Sequence, residues 1–214
     1  MKYKGIIFDL DGVICSTDEY HYYSWKKIAD ELGVHFNETV NDRLRGVSRK
    51  SSLEIILESY TIDISEEEKL YYCEKKNKLY IRLLEGMSEK DVTEETRDTL
   101  TQLKAKGIKI AIGSSSKNAK YILKKIGLNN YFDAVSDGTN ITNSKPDPEV
   151  FLKASEYLGI NTRLCLVVED AKAGIEAAIA ANMDCAALGN GTSYNLAMYN
   201  LKSISDLVNI VRPL

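Results

Sequence analysis

An α/β fold is predicted for this chain, a doubly wound parallel sheet with an all-helical cap inserted after the first strand. Two textures in the 214 residues carry that reading. Over most of the chain, short apolar runs alternate with helical patterns, as in parallel strands buried on both faces and linked by crossover helices. Between roughly Cys15 and Met87 the alternation stops and only helical periodicity remains.

The first apolar run, Tyr3 to Asp9, reads as a buried strand. Tyr20, Tyr23, Trp25, Ile28 and Leu32 then fall on helical spacings, as do Leu53, Ile56 and Leu57, and Glu66 to Leu84 is a long charged helix with an apolar stripe. From there strands at Ile108 to Ile112, Ala134 to Val135, Leu164 to Val168 and Cys185 to Leu188 interleave with the helices. The helices are expected over Glu94 to Lys106, Asn118 to Ile126, Asp147 to Leu158 and Ala171 to Ala181, each closed by a glycine or asparagine at or just past its end. This divides the chain into a core of residues 1–14 and 88–214 and a cap of residues 15–87.

Composition narrows the partners. With 44% hydrophobic and 28% charged residues the chain can bury a core, which excludes disordered and collagen-like classes. Lys and Arg number 28 against 31 Asp and Glu, a balance with no electrostatic footprint for nucleic acid or an anionic membrane. Any phosphate must therefore be held by local groups. The N-terminal apolar run is too short for a signal peptide or a membrane span, so a cytoplasmic protein is expected. Cys15, Cys73, Cys165 and Cys185 form no C-x-x-C pair and read as reduced, buried thiols. Two histidines, His21 and His35, leave no His-rich metal site.

In open parallel sheets ligands bind outside the carboxyl ends of the strands, so the polar residues that follow each apolar run are the candidates. They are Asp9 and Asp11, then Ser114, Ser115 and Ser116, then Lys145 before Pro146, and finally Glu169 and Asp170. Four carboxylates at one sheet edge repel one another unless a cation compensates, and an all-oxygen set suits Mg²⁺. Lys145 and the Ser114 hydroxyl would serve the remaining oxygens of a phosphoryl group. Asp9 is placed to be a nucleophile and Asp11 a general acid and base. Each segment alone has a plainer reading: a turn for Asp-x-Asp-Gly, a helix cap for Glu169-Asp170 and for the serines, a solvated loop lysine for Lys145. Their common position at strand ends favours the chemical one.

Taken together, Phe8-Asp9-Leu10-Asp11-Gly12-Val13, the serine after the second strand, Ser144-Lys145-Pro146 and Glu169-Asp170 resemble the four motifs of the haloacid dehalogenase superfamily. Within it the chain is similar over nearly its whole length to phosphosugar mutases, through Glu19-Tyr20-His21, Trp25-Lys26, Gly46-Val47-Ser48-Arg49, Ser114 to Asn118 and Ala173-Gly174-Ile175. The resemblance implies a Rossmann-like core with a helical cap, and a monomer acting on a small phosphosugar. It implies interconversion of β-D-glucose 1-phosphate and glucose 6-phosphate through an aspartyl phosphate, with β-glucose 1,6-bisphosphate as the activating intermediate. Asp9 would be phosphorylated and Asp11 would move the proton, with Ser114 and Lys145 completing the catalytic set. Asp9, the Asp11 backbone carbonyl, Glu169 and Asp170 would hold Mg²⁺. Thr17 resembles the hinge into the cap, His21 a residue that orients Asp11, and Arg49 the clamp on the phosphate that is not reacting. Thr17, His21 and Arg49, with Trp25, Arg45, Gly46, Lys76, Ser115, Ser116, Lys117 and Asn118, match segments that face substrate.

Read singly, Trp25 is a core residue, His21 a helix-surface residue, Arg49 a solvated charge, and the Tyr71 to Lys78 run a solvated helix face. The chain also departs from the pattern: Thr93-Glu94-Glu95 replaces a Tyr-Pro-Gly turn, and Ala171 replaces a serine. Two rival functions share much of the inventory. A capped Mg²⁺-dependent phosphatase needs only Asp9, Asp11 and the metal. A signalling receiver domain places its phosphoacceptor on a later strand and has no large helical insert.

Overall fold

The computed structural model describes residues 2–58 and 64–211, so the ends of the expected core range and residues 59–63 of the expected cap lie outside the described residues. Six parallel strands form one sheet in the order β3-β2-β1-β4-β5-β6. They are β1 Gly5–Phe8, β2 Lys109–Gly113, β3 Ala134–Ser136, β4 Cys165–Glu169, β5 Asp184–Ala187 and β6 Tyr199–Asn200. β1 lies at the centre, with Phe8 beside Ile112 of β2 and Val168 of β4.

Alternation along β1 explains why helices cover both faces. Ile6 and Phe8 pack into one apolar cluster with Leu100 and Leu103 of α5 (Glu94–Ala105) and Ile122 of α6 (Ala119–Lys125). Ile7 points the other way, into a second cluster with Phe151 of α7 (Glu149–Leu158) and Ile175 of α8 (Lys172–Ala180). Gly113 closes β2 under α7, and a Cβ there would lie 2.7 Å from the Phe151 ring, so the close approach requires glycine.

Among the described residues, four α-helices stand between β1 and α5: α1 Asp18–Leu32, α2 Glu38–Asp42, α3 Arg49–Leu57 and α4 Glu66–Leu84. α4 begins with a full capping box in which Ser65 and Glu68 satisfy each other's backbone, and its bounds are those read from the sequence. These helices share a cluster of their own, built on Trp25, Ile28, Leu32, Leu53 and Ile56. Trp25 is 1% exposed at its centre. The return to the core is made by Thr93, whose hydroxyl accepts from the Thr96 amide at 3.1 Å and starts α5 in place of the Tyr-Pro-Gly turn.

Three elements differ from expectation. The helix expected from Asp147 starts at Glu149, because the Asp147 carboxylate accepts the Glu149 amide at 2.9 Å and caps the turn instead of joining it. The helix expected from Ala171 starts at Lys172, with Ala171 extended and its amide given to Glu169. The two-residue edge strand β6 carries too short a pattern to be read, and it is followed by α9 Leu207–Ile210. No helix among the described residues is long and apolar enough to cross a membrane. All four cysteines are buried and unpaired, as their spacing suggested.

Removing the indole from the helical cluster should be costly for the whole chain. Trp25→Ala is expected to lower unfolding free energy by about 3–5 kcal/mol, measured by denaturant titration. A loss below about 1 kcal/mol would mean that the helices do not depend on this cluster.

Candidate active site

The polar residues after the strands do come together. The loop after β1 turns sharply at Gly12, which has φ +83°, and a Cβ there would lie 2.1 Å from Asp170 Oδ2. Gly174 is equally constrained, since its Cβ would lie 1.9 Å from Glu169 Oε1. Two glycines thus let the β1 loop and α8 close on the carboxylates at the end of β4. One oxygen each of Asp9, Glu169 and Asp170 lies within 4.8 Å of the others, and all three residues are buried. The Glu169 carboxylate accepts the amides of Asp170 at 3.0 Å and Ala171 at 3.1 Å, both ahead of α8, whose start carries no side-chain cap, so the plainer reading of this pair as a helix cap is not realised.

Lys145 is the buried cation among them. It follows β3 in a loop with a cis Lys145–Pro146 peptide, and its ammonium donates to both Asp9 and Glu169 while lying 4.8 Å from the centre of the Phe151 ring. Burial alone would lower its pKa, but the Asp9 and Glu169 charges outweigh that and hold it above the ordinary lysine value. Asp9 is driven up, first by burial and then by Glu169 and Asp170, against the pull of Lys145. Asp170 is pushed up to about 8 by burial and by Glu169, although Arg45 favours its charged form. Three carboxylates with one buried lysine leave a surplus of negative charge on hard oxygen donors. That donor set fits a hard divalent cation, and Asp9, Glu169 and Asp170 are the side chains that could hold it.

Asp11 faces away from this cluster. Thr17 donates to its Oδ1, and the Tyr80 hydroxyl of α4 lies 2.9 Å from the Thr17 hydroxyl. The His21 Nε2 atom is 3.9 Å from Asp11 Oδ2, and the His21 Nδ1 atom is 2.8 Å from the Lys76 ammonium. With Lys76 donating to Nδ1, a neutral imidazole carries its proton on Nε2, toward Asp11. The Asp11 side chain keeps 24% exposure, yet its surroundings push its pKa up to about 6, with burial the leading cause and the Thr17 bond opposing. Lys76 is 2% exposed, against the Trp25 and Tyr80 rings, which corrects the reading of its run as a solvated face. Burial and Arg49 hold it well below the usual lysine range.

These groups line one cavity of about 980 Å³ between core and helices. Ser114 to Asn118 line it from the core, where Ser114 Oγ accepts the Ser116 amide at 3.2 Å and Ser116 Oγ accepts the Asn118 amide at 3.2 Å. Trp25, Arg45, Gly46, Arg49 and Lys76 line it from the cap side. Arg45 is already engaged, with Asp18 at 2.6 Å and Asp170 at 3.5 Å, so it bridges to the acidic cluster. Gly46, at φ +76°, brings the loop before α3 onto Ala171, whose Cβ would be 3.4 Å from a Cβ at Gly46. Thr17, expected at the substrate, is 1% exposed and faces Asp11 and Tyr80 instead of the cavity. Sequence reasoning missed Tyr80, which only its place one turn beyond Lys76 could have signalled, and reached Asn77 only within the Tyr71 to Lys78 run.

The parallel sheet, with a buried acidic cluster and its lysine at the strand ends, defines an α/β enzyme class. The model of haloacid dehalogenase-like hydrolases matches residues 6–188, and the chain belongs to that family of enzymes. It is 38% identical over 206 residues to β-phosphoglucomutase of Bacillus subtilis (strain 168), covering 95% of this chain and 91% of that one. It is 30% identical to a phosphorylated carbohydrates phosphatase of Thermotoga maritima over 85% of this chain and 82% of that one. The crystal structure of β-phosphoglucomutase from Clostridium difficile superimposes with a TM-score of 0.89 at 37% identity, covering 98% of this chain and 100% of that one.

The raised Asp170 carboxyl has a stability consequence in protein stripped of divalent ions. The folded chain keeps a proton that the unfolded chain releases above about pH 4, so this group's contribution falls as pH rises from about 4 to 8. His21, held well below its usual value, acts in the opposite sense, its contribution falling as pH drops below about 6.5. Comparing wild type with Asp170→Asn in chelator isolates the first effect. The variant should melt higher, by a margin that grows from pH 5 to pH 8, as read by calorimetry. A constant margin would show that Asp170 is not the titrating group.

Proposed function

We propose that the protein is a phosphomutase that interconverts β-D-glucose 1-phosphate and glucose 6-phosphate. The reading is carried by one cavity with anion-binding groups of two kinds. Lys145 stands in the acidic cluster and Ser114 lines the same cavity, whereas Arg49 and Asn118 belong to a separate hydrogen-bonded group with no carboxylate in it. A bisphosphate needs both; a simple phosphatase needs only the first. The similarity to two β-phosphoglucomutases supports the same reading, and the phosphatase relative keeps hydrolysis as the rival.

In this reading Asp9 attacks the phosphorus and becomes the aspartyl phosphate, while Asp11 gives its proton to the departing sugar oxygen. The C6 hydroxyl of β-glucose 1-phosphate then attacks phospho-Asp9 as Asp11 takes its proton, giving β-glucose 1,6-bisphosphate and freeing the Asp9 carboxylate; the bisphosphate turns round in the cavity and returns its C1 phosphoryl group to Asp9 as Asp11 protonates the departing oxygen of glucose 6-phosphate. An Asp11 pKa of about 6 suits both roles near neutrality. Thr17 holds the Asp11 carboxyl through a hydrogen bond, and His21 Nε2 faces the other carboxyl oxygen at 3.9 Å. Lys145 and Ser114 balance charge on the transferring oxygens. Magnesium, held by Asp9, Glu169 and Asp170 with the Asp11 carbonyl, would neutralise charge on the phosphoryl group.

The deciding assay is glucose 6-phosphate formation from the β and the α anomer of glucose 1-phosphate, with catalytic bisphosphate. Turnover of the β anomer should depend on added magnesium and vanish in Asp9→Asn together with the phosphoenzyme. Phosphate release to water without isomerisation would establish the phosphatase instead.

Arg49 gives a second test. Its guanidinium can fork onto two phosphate oxygens, and binding energy from that remote group favours closure and a sugar acceptor over water. Arg49→Ala should reduce isomerisation by an amount equivalent to about 2–4 kcal/mol. Phosphorylation of Asp9 by acetyl phosphate, which has no second phosphate, should fall far less. Equal losses in the two reactions would remove Arg49 as the distal clamp.

A further inference from the structure

One side-chain oxygen joins the cap helices to the core at the edge of the cavity. The Asn77 Oδ1 atom of α4 accepts from Arg49 Nη2 of α3 at 2.7 Å and from Asn118 Nδ2 of the core at 3.0 Å. A guanidinium has five N–H groups and a carboxamide two, so both donors keep N–H groups free after this contact. Both residues line the cavity. The acceptor is neutral, so it orients the guanidinium without cancelling its charge, as a carboxylate would.

We propose that Asn77 is a positioning residue that sets Arg49 and Asn118 as one anion-binding pair for the phosphate remote from Asp9, an inference that rests on the clamp role of Arg49 proposed above. Arg49 is a long side chain with much rotamer freedom to lose. Holding it against Asn77 before the phosphate arrives removes that cost from binding. Because Asn118 belongs to the core, the same oxygen also ties the pair to one relative placement of cap and core. Substrate affinity and closure are thereby coupled through a residue that need not touch the substrate.

The test is a calorimetric titration with glucose 6-phosphate, which requires no turnover. Asn77→Ala should weaken binding on the order of tenfold, as for loss of a hydrogen bond to a charged group. In an Arg49→Ala background the same change should weaken it less than about twofold, because Asn77 then has no guanidinium to orient. The isosteric Asn77→Asp, which can accept the same two bonds, should weaken binding more than Ala does, by a factor that shrinks as salt is raised. Unchanged affinity in Asn77→Ala, or losses that multiply in the two backgrounds, would overturn the proposal. Wild-type protein that binds glucose 6-phosphate without isomerising β-glucose 1-phosphate would remove the mutase reading and leave this titration standing. Wild type that isomerises while Asn77→Ala binds equally well would remove only the role of Asn77.

Discussion

The interaction on which the rest depends is the contact of one buried ammonium with two buried carboxylates. Lys145 reaches Asp9 from β1 and Glu169 from β4, so it ties together the two strands at the centre of the sheet. Charges of this kind are expensive to bury, and they persist only where pairing and hydrogen bonds repay desolvation. Here the Asp170 and Ala171 amides repay part of it at Glu169, and glycines at 12 and 174 allow the approach. The repayment is incomplete, since among the described residues the Asp170 carboxylate finds only Arg45, at 3.5 Å. The site is therefore built to accept further positive charge. That incompleteness is a property of the folded chain, and it is what a structural ion pair would lack.

The cap shows the opposite sign. Arg45, Arg49 and Lys76 all face the same cavity, and the fields of Arg49 and burial together hold Lys76 well below its usual range. Asp11 sits where the two fields meet, bonded to Thr17 and near His21. Its environment thus depends on the cap being closed, because His21, Lys76 and Tyr80 come from α1 and α4. The substitution of alanine at 171 fits this closeness: the Gly46 loop lies directly on that methyl group, where a bulkier side chain would have to displace it.

How much of this was legible follows from what each feature requires. Strand ends are marked by apolar runs that stop at a charged residue, so Asp9, Glu169 and Asp170 could be found from the sequence, and Lys145 from its place ahead of a helical pattern; the structure brings these four together and turns Asp11 aside. Helix starts at Asp147 and Ala171 were misplaced by one or two residues, since both depend on which side chain captures a given amide. Lys76 was reached through the resemblance alone, and Tyr80 was not reached at all. On a helix as charged as α4, the buried lysine looks like its exposed neighbour Lys75, which pairs with Glu31 at 2.6 Å in solvent. Only packing against Trp25 and Tyr80 distinguishes them. Edge strand β6, of two residues, has no period to detect.

In the proposed reading, the separation of charge between core and cap bears on how a sugar hydroxyl would compete with water. Water needs only Asp11 as a base and access to Asp9. A phosphosugar brings a second phosphate, and in the proposed arrangement its charge is met by Arg49, a guanidinium whose pKa is lowered by burial and which has Asn77 as its hydrogen-bond partner. Binding there releases energy only when cap and core are together, because Asn118 and the serine loop come from the core. Closure that expels water is thus coupled to the one acceptor that carries the extra charge. The same residues would do little for an acceptor without it, so discrimination arises at a distance from the reacting atoms.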